Sequence, residues 1–262
     1  MSFPTILLDR QDPVAHVQLN RPEVMNGLNQ ALTDDLYGCL TQLQTDENIR
    51  AIVLSGAGKA FCAGGDVSFL KVINSMTPCG VQKLLEDLFH KLSMVARLEK
   101  PVIAALHGYV LGAGFSLALL CDIRLAAEGT RFGAEFPMMG IAPEIGYTHT
   151  LPALVGLGKA LELTLTARRI DAVEAEKIGV ISRIVPEEKL LEEALGLARH
   201  LAGMPPLALQ WIKKTLRQGA EGSLQASLAL EAQINSLCYA SEDHKEAASA
   251  FMEKRKPVFK GR

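Results

Sequence analysis

Short apolar strand segments alternate with amphipathic helix segments along residues 14–185, and this alternation restricts the possible folds more than any other feature. Period and composition predict strands at residues 14–20, 49–55, 101–106, 123–127 and 180–185. Apolar residues at helical spacing predict helices at residues 32–43, 84–95 and 113–120. Strands that alternate with helices usually pair in parallel through crossover helices, so we predict an α/β fold.

The pattern changes after residue 185, where the sequence predicts helices broken at residues 203–206, Gly219 and Ser241. We therefore predict a core over residues 1–199 and a C-terminal helical region over residues 200–262. With 48% hydrophobic residues, the 262-residue chain has enough apolar material for one large core. Its 27 basic and 29 acidic side chains nearly balance, which gives no reason to expect a nucleic-acid or membrane-surface partner.

The five cysteines form no C-x-x-C pair and stand near no histidine cluster. We therefore expect reduced thiols, with neither a disulfide framework nor a metal site. Every apolar run is shorter than the ~18 residues that a membrane span needs, and residues 1–10 lack the pattern of a signal peptide. By elimination we expect a cytoplasmic location.

Two glycine-rich segments, residues 60–66 (AFCAGGD) and 108–117 (GYVLGAGFSL), each follow an apolar strand. The run just before the first segment, residues 56–59 (GAGK), does not complete a P-loop, because Val53 and Ala60 stand where that motif needs glycine and Ser or Thr. Residues 112–114 do not complete a dinucleotide fingerprint, because Leu117 stands where the third glycine is needed. Small residues let a ligand oxygen approach the backbone, and a helix that starts there leaves N–H groups unpaired. Two such turns side by side form an oxyanion hole. Alternatively, the glycines serve only turns and packing.

Several fragments occur in an order and spacing that resembles the enoyl-CoA hydratase/isomerase (crotonase) superfamily from about residue 5 to residue 260. The resemblance implies a spiral of ββα turns with a C-terminal helical trimerisation region, assembled as a homotrimer or dimer of trimers. It also implies an acyl-CoA thioester substrate and no cofactor beyond the coenzyme A of that substrate. The fragments are Asn20-Arg21-Pro22, Asn26-Gly27-Leu28, residues 61–66, residues 112–119, Cys121-Asp122, Phe132-Gly133, Gly140-Ile141 and Gly179-Val180.

Carried over by position, the resemblance implies that the backbone N–H groups of Gly65 and Ala113 stabilise the enolate of the thioester. Lys260, near the C-terminus, is implied to reach a coenzyme A phosphate, across a subunit boundary. The other implied substrate-binding residues follow the two turns or lie between them and residue 140: Ala63, Gly64, Asp66, Val67, Phe69, Leu70, Gly112, Ser116, Phe136 and Met139. For Asp66 and Ser116, a structural role in their own turns is the alternative.

The resemblance also bears on the reaction. Family hydratases hold and split a water with two glutamates, and Ser116 and Phe136 occupy the matching positions here. Glu135 stands one residue before Phe136, the position of the second hydratase glutamate. In a strand, a shift of one residue turns a side chain to the opposite face, so Glu135 could replace that glutamate only if the register slipped. Glu144 stands where several family isomerases carry their acid, among apolar neighbours that would raise its pKa.

We therefore predict an acyl-CoA double-bond isomerase that uses Glu144 as its sole acid/base. One alternative is a hydratase, or an isomerase of ring-modified aryl-CoA. Another is a non-catalytic member of the family that binds CoA esters or RNA. Glu144 would then be an ordinary solvated loop glutamate.

Overall fold

We describe residues 3–262 in a computed structural model, which has two sheets and a surrounding layer of helices. The strands are β1 (Ile6–Gln11), β2 (Val14–Leu19), β3 (Ala51–Gly56), β4 (Ala60–Cys62), β5 (Val102–Leu106), β6 (Tyr109–Leu111), β7 (Ile123–Ala127), β8 (Arg131–Gly133), β9 (Ile170–Asp171) and β10 (Arg183–Val185). The helices are α1 (Gln30–Thr45), α2 (Val67–Asn74), α3 (Pro78–Leu92), α4 (Met94–Arg97), α5 (Ala113–Leu120), α6 (Tyr147–Val155), α7 (Leu157–Thr166), α8 (Ala172–Lys177), α9 (Leu190–Ala202), α10 (Pro206–Glu221), α11 (Leu224–Ala240) and α12 (Glu242–Met252). Short 3-10 helices span Pro22–Val24, Pro137–Met139 and Glu187–Lys189.

The larger sheet has six strands in the order β1-β2-β3-β5-β7-β10. All neighbours pair in parallel except β1 and β2, which form an antiparallel pair at the edge. Every residue of β3 and β5 is buried, as expected for parallel strands covered on both faces. The predicted α/β class and parallel pairing are confirmed.

The smaller sheet has the order β4-β6-β8-β9, and its first three strands are parallel. Strands β3, β5 and β7 of the larger sheet are each followed at once by a strand of the smaller sheet and then by helical structure. This repetition confirms the predicted spiral of ββα turns. It also brings the chain segments that follow β4 and β6 next to each other.

The predicted boundary between the core and the C-terminal helical region, at residue 199/200, falls inside α9. Helix α9 buries Leu190, Ala194, Ala198 and Ala202 at a four-residue spacing in the cluster under the larger sheet, so it belongs to the core. Helices α10 to α12 follow. Lys213 of α10 reaches the Asp122 carboxylate at 2.7 Å and ties the appendage to the start of β7.

Two local predictions differ from the structure. The strand predicted at residues 180–185 is reduced to β10, because Gly179 adopts a φ of +81° and Val180 donates its N–H to the Ala175 carbonyl at 2.8 Å. Gly219 does not end α10, since a single helical glycine costs only about 1 kcal/mol and tertiary packing overrides it. None of the helices in residues 3–262 combines the length and apolar character needed to cross a bilayer.

Candidate active site

The two glycine-rich turns lie side by side. Strands β4 and β6 are parallel neighbours, with Cys62 opposite Val110, so the turns that follow them emerge at the same edge. Gly64 and Gly112 have φ values of +107° and +50°, which L side chains rarely adopt. A Cβ at Gly112 would lie 3.9 Å from the Gly64 Cα, and a Cβ at Gly64 would lie 3.8 Å from the Ala113 nitrogen. These are ordinary van der Waals distances, so the positive φ values are what call for glycine at both turns.

The predicted donors, Gly65 and Ala113, present their N–H groups at this junction. Ala113 is the first residue of α5, so its N–H has no intrahelical acceptor. Leu28 forms an isolated parallel β-bridge with Gly65. In it, the Leu28 N–H donates to the Gly64 carbonyl at 2.8 Å and the Leu28 carbonyl accepts from the Asp66 N–H at 2.9 Å. The Gly65 N–H takes no part in either hydrogen bond. Within residues 3–262, neither donor has a protein acceptor. Both N–H groups are therefore available to donate to a ligand.

A cavity of about 260 Å³ opens beside these N–H groups. The predicted backbone contacts line it: Ala63, Gly64, Gly65, Gly112 and Ala113. So do six side chains predicted for the site: Val67, Phe69, Leu70, Phe136, Met139 and Glu144. Val67 and Met139 are more than half exposed, which places them at its mouth. The structure thus brings most of the predicted site residues around one cavity.

Glu144 is half-buried in the wall of this cavity. Burial raises the pKa of its carboxyl group above the ordinary value of 4.5. In the described part of the chain, no hydrogen bond or ion pair engages the carboxylate. A desolvated, unpaired carboxylate is a stronger base than a solvated one and can take up a proton from a bound ligand.

The backbone directly after Glu144 is strained. Ile145 has a φ of +53° and Gly146 a φ of +73°, so two successive residues are left-handed before α6 begins at Tyr147. A β-branched residue in this region is a genuine outlier, with a typical cost of about 1–3 kcal/mol. The Ile145 side chain is nonetheless buried and lines the cavity next to Glu144. Packing of Ile145 therefore holds the turn that carries the carboxylate.

Glu135 also lines the cavity, contrary to the expectation that residues 135 and 136 face opposite ways. That expectation assumed a strand, but β8 ends at Gly133. The Glu135 carboxylate accepts a hydrogen bond from Arg169 Nε at 2.6 Å. Glu135 therefore has a cationic partner, whereas Glu144 has none in the described part of the chain. The Phe136 ring is buried and packs edge-on against Tyr147, with ring centroids 5.2 Å apart.

Three predicted substrate-binding residues, Asp66, Ser116 and Lys260, do not line the cavity. The Ser116 side chain is fully buried within α5, where its Oγ donates to the Gly112 carbonyl at 3.4 Å. The Lys260 N–H donates to Asp243 at 2.6 Å, which fixes the tail near the start of β3 and β5. Lys260 therefore does not line the cavity within one chain.

Asp66 has a structural position at the start of α2. Its carboxylate caps the helix by accepting from the Ser68 N–H at 2.8 Å and pairs with Arg21 at 2.6 Å. Burial opposes ionisation of Asp66, but the hydrogen bonds from Ser68 and Arg21 outweigh it and hold the pKa below its ordinary value. Asp66 thus fixes the helix whose first residue, Val67, lines the mouth of the cavity.

The Asp66→Ala substitution is expected to lower the free energy of unfolding by about 1–3 kcal/mol, because the half-buried Arg21 guanidinium loses its carboxylate partner and α2 loses its cap. Chemical denaturation measures this change. Asp66→Asn is the matched control, since asparagine keeps the helix cap but loses the charge, and its loss is expected to be smaller. Unchanged stability together with lost ligand binding would instead support the direct substrate contact that the sequence predicted.

A sequence model described as enoyl-CoA hydratase/isomerase matches residues 9–262. The chain belongs to this family. It is a family of enzymes. Ser116 and Phe136 occupy the positions where the resemblance places the two hydratase glutamates, so this member departs from that pattern at both.

Similar proteins cover the whole chain. The 2,3-dehydroadipyl-CoA hydratase of Escherichia coli is 41% identical over 258 residues, or 98% of this chain and 99% of the relative. The short-chain-enoyl-CoA hydratase of Clostridium acetobutylicum is 35% identical over 257 residues, which cover 98% of this chain and 97% of the relative. The crystal structure of an enoyl-CoA hydratase from Bacillus anthracis superposes with a TM-score of 0.93 at 36% identity, over 98% of this chain and 100% of that one. These relatives are named hydratases rather than isomerases.

Sequence reasoning did not identify several residues that line the cavity. The apolar spacing of α3 was visible, but it did not distinguish cavity-lining leucines from core leucines. Nothing in the sequence marked Ile145 as left-handed. Asn29 and Thr33 of the α1 region were not singled out at all, although both face the cavity. Residues 3–262 contain no cluster of His, Cys, Asp and Glu side chains suited to a metal ion.

Proposed function

We propose that this family member is an acyl-CoA double-bond isomerase with Glu144 as its single acid/base. The observation that carries this proposal is the half-buried, unpaired Glu144 carboxylate in the same cavity as the Gly65 and Ala113 N–H groups. A base and an oxyanion hole are together sufficient to move a double bond. No activated water is required.

The reaction proceeds in two proton transfers. The Glu144 carboxylate removes a proton from C2 of a 3-enoyl-CoA, and the electron pair shifts toward the thioester oxygen to form a dienolate. The N–H groups of Gly65 and Ala113 donate to that oxygen as its negative charge develops. The resulting Glu144 carboxylic acid then returns the proton to C4, the double bond forms between C2 and C3, and the carboxylate is regenerated.

The surroundings of Glu144 favour proton shuttling over hydration. Phe136, Met139, Ile141 and Ile145 line the cavity near it and are all apolar. Ser116 is buried inside α5 and does not reach the cavity. A water held for attack needs polar partners, and these apolar side chains provide none.

Hydration of a 2-enoyl-CoA is the second candidate, and two observations favour it. The similar curated proteins reported above are named hydratases. Glu135 also lines the cavity, so two carboxylates, those of Glu135 and Glu144, are available to hold and split a water. The ion pair with Arg169 opposes this role because the Glu135 carboxylate is already engaged by the Arg169 guanidinium at 2.6 Å.

The two reactions are separated by incubating the purified protein with 3-enoyl-CoA and, in parallel, with crotonyl-CoA. Isomerisation produces 2-enoyl-CoA from the first substrate, while hydration adds a hydroxyl group at C3 of the second. We expect efficient isomerisation and slow hydration. Efficient hydration without isomerisation would reject the proposal in favour of the second candidate. Binding of CoA esters without turnover on either substrate would reject both.

The pH dependence of isomerisation provides an independent test. A base acts only when deprotonated, so kcat/KM is expected to fall as the pH drops through the pKa of Glu144. Burial raises that pKa, so the fall should be centred above pH 4.5, the ordinary value for glutamate. Rates measured with thermal unfolding at each pH separate titration of the site from acid denaturation. A midpoint at or below 4.5 would argue against Glu144 as the base.

We also propose that the chain assembles as a homotrimer or dimer of trimers, with an acyl-CoA thioester as its ligand. A leucine stripe on α7 supports assembly, because Leu157, Leu161 and Leu165 are 65%, 49% and 72% exposed at helical spacing. An exposed apolar stripe of this kind marks an interaction surface. Light scattering of the purified protein measures the number of chains.

A further inference from the structure

We propose that Leu85 and Phe89 of α3 limit the length of the acyl chain that this enzyme binds. This inference rests on the proposed binding of an acyl-CoA and adds a substrate class, thioesters of short acyl chains. The two side chains stand between the cavity and a second, outer space at the protein surface. They are then residues that determine substrate specificity.

A separate apolar groove lies at the surface beside α3. Its volume is about 510 Å³, and Leu85 and Phe89 line it as well as the cavity beside Gly65 and Ala113. Of the residues that line either space, these two alone line both. Leu85 and Phe89 therefore form the border between the two spaces. We call the second space the outer groove, and its other lining residues are Met76, Pro78, Val81, Gln82 and Glu86.

The burial of side chains along α3 agrees with this position. Leu85, Leu88, Phe89 and Leu92 lie three or four residues apart and so share one face of the helix. Leu88 and Leu92 are buried, with exposed fractions of 6% and 3%, and they line only the cavity. Leu85 and Phe89 are half-buried. They therefore lie on the edge of this face that turns toward the surface and the outer groove.

The part of the cavity that α2 and α3 form suits a hydrocarbon chain. Every lining residue that these two helices contribute is apolar. The polar and charged lining side chains, those of Asn29, Thr33, Glu135 and Glu144, belong to other segments. An acyl chain gains affinity when its methylene groups are buried against apolar side chains. We therefore place the acyl chain along α2 and α3, where Leu85 and Phe89 stop it.

The outer groove offers the same kind of surface beyond this border. Met76, Pro78 and Val81 contribute apolar side chains to it. Its two polar side chains bind each other, because Gln82 Nε2 donates to the Glu86 carboxylate at 2.8 Å. A chain that passed the border would therefore bury further methylene groups in the groove. Shortening both border side chains should join the two spaces.

Binding of saturated acyl-CoAs measures the length limit without any chemical turnover. Calorimetry compares butyryl-, hexanoyl-, octanoyl- and decanoyl-CoA. Burial of one methylene group is worth about 4-fold in affinity, so two added carbons in an apolar channel without a limit should raise the affinity about 16-fold. We expect the native protein to gain affinity from butyryl- to hexanoyl-CoA and to bind decanoyl-CoA no more tightly than octanoyl-CoA.

The double variant Leu85→Ala/Phe89→Ala removes the border. It should bind decanoyl-CoA about 10-fold more tightly than octanoyl-CoA, because the longer chain continues into the outer groove. Phe89→Ala alone is a smaller change and should give a gain of about 3-fold, which keeps the test available if the double variant is unstable. Thermal unfolding verifies that each variant is folded.

Two further variants assign the gain to the border. Val81→Ala removes a side chain that lines the outer groove and not the cavity, so octanoyl- and decanoyl-CoA should still bind equally well. Val81→Glu, added to the double variant, places a carboxylate where the longer chain would lie. It should abolish the gain, because burying a charge without a partner is unfavourable.

The outcomes separate this inference from the proposed function. In the native protein, an affinity that keeps rising about 16-fold per two carbons up to decanoyl-CoA would overturn the inference alone. Equal binding of octanoyl- and decanoyl-CoA in both border variants, or a gain that survives Val81→Glu, would do the same. Failure of all four thioesters to bind would overturn acyl-CoA binding and the inference with it. A gain in the double variant that Val81→Glu removes supports the assignment, whether or not the protein isomerises 3-enoyl-CoA.

Discussion

Replacing Glu144 with glutamine is expected to lower kcat for isomerisation of 3-enoyl-CoA by about 10²–10⁴-fold, the usual contribution of a positioned acid/base. Glutamine keeps the size and shape of the side chain but cannot take up the C2 proton. The affinity for a saturated acyl-CoA should change little, because the proposed role of Glu144 is proton transfer and not binding. Steady-state kinetics and calorimetry measure the two quantities separately.

Glu135→Gln is the matched control, since Glu135 lines the same cavity and the change is chemically identical. Isomerisation is expected to survive this substitution, because the Glu135 carboxylate is held by Arg169. If Glu135→Gln abolishes turnover, or if both variants abolish hydration of crotonyl-CoA, the chemistry uses two carboxylates. The single-base isomerase would then be the wrong assignment.

Replacing Ala113 with proline is expected to lower kcat by about 10²–10³-fold, because it deletes one backbone donor to the developing oxyanion. Ala113 is the first residue of α5, and proline is tolerated at the first position of a helix. The substitution therefore removes an N–H that no other protein group uses within the described residues. Circular dichroism and thermal unfolding verify that the fold persists.

Ala113→Gly is the companion variant, because it retains the N–H while it removes the side chain. Its kcat should stay within a few-fold of the native value, so the pair separates loss of the donor from a change in local packing. Equal losses in the proline and glycine variants would mean that the Ala113 side chain matters and that the donor does not. The proposed oxyanion hole would then lack one of its two groups.

The sequence predicted the fold well where elements are long and regularly patterned. The continuous apolar strands at residues 49–55 and 101–106 correspond to β3 and β5, because a parallel strand buried on both faces must be apolar throughout. The short strands β4, β6, β8 and β9 carry two or three residues each, too few for a period to show. They form through pairing with each other, which is a tertiary effect.

The backbone part of the site was predictable because glycine is the residue that readily adopts positive φ, as Gly64 and Gly112 do in the two turns. The side-chain part was harder to predict. Residues 135 and 136 both reach the cavity because β8 ends early, which alternation cannot show.

The left-handed turn after Glu144 has a consequence for how this enzyme can diversify. Ile145 both lines the cavity and adopts the unfavourable backbone conformation next to Glu144. A change there that widens the cavity for a bulkier substrate also loosens the conformation of the neighbouring carboxylate. With Glu144 as the proposed base, substrate range and reactivity are linked at this one position. New specificities are then more accessible through α1 and α3, whose side chains line the cavity without carrying that carboxylate.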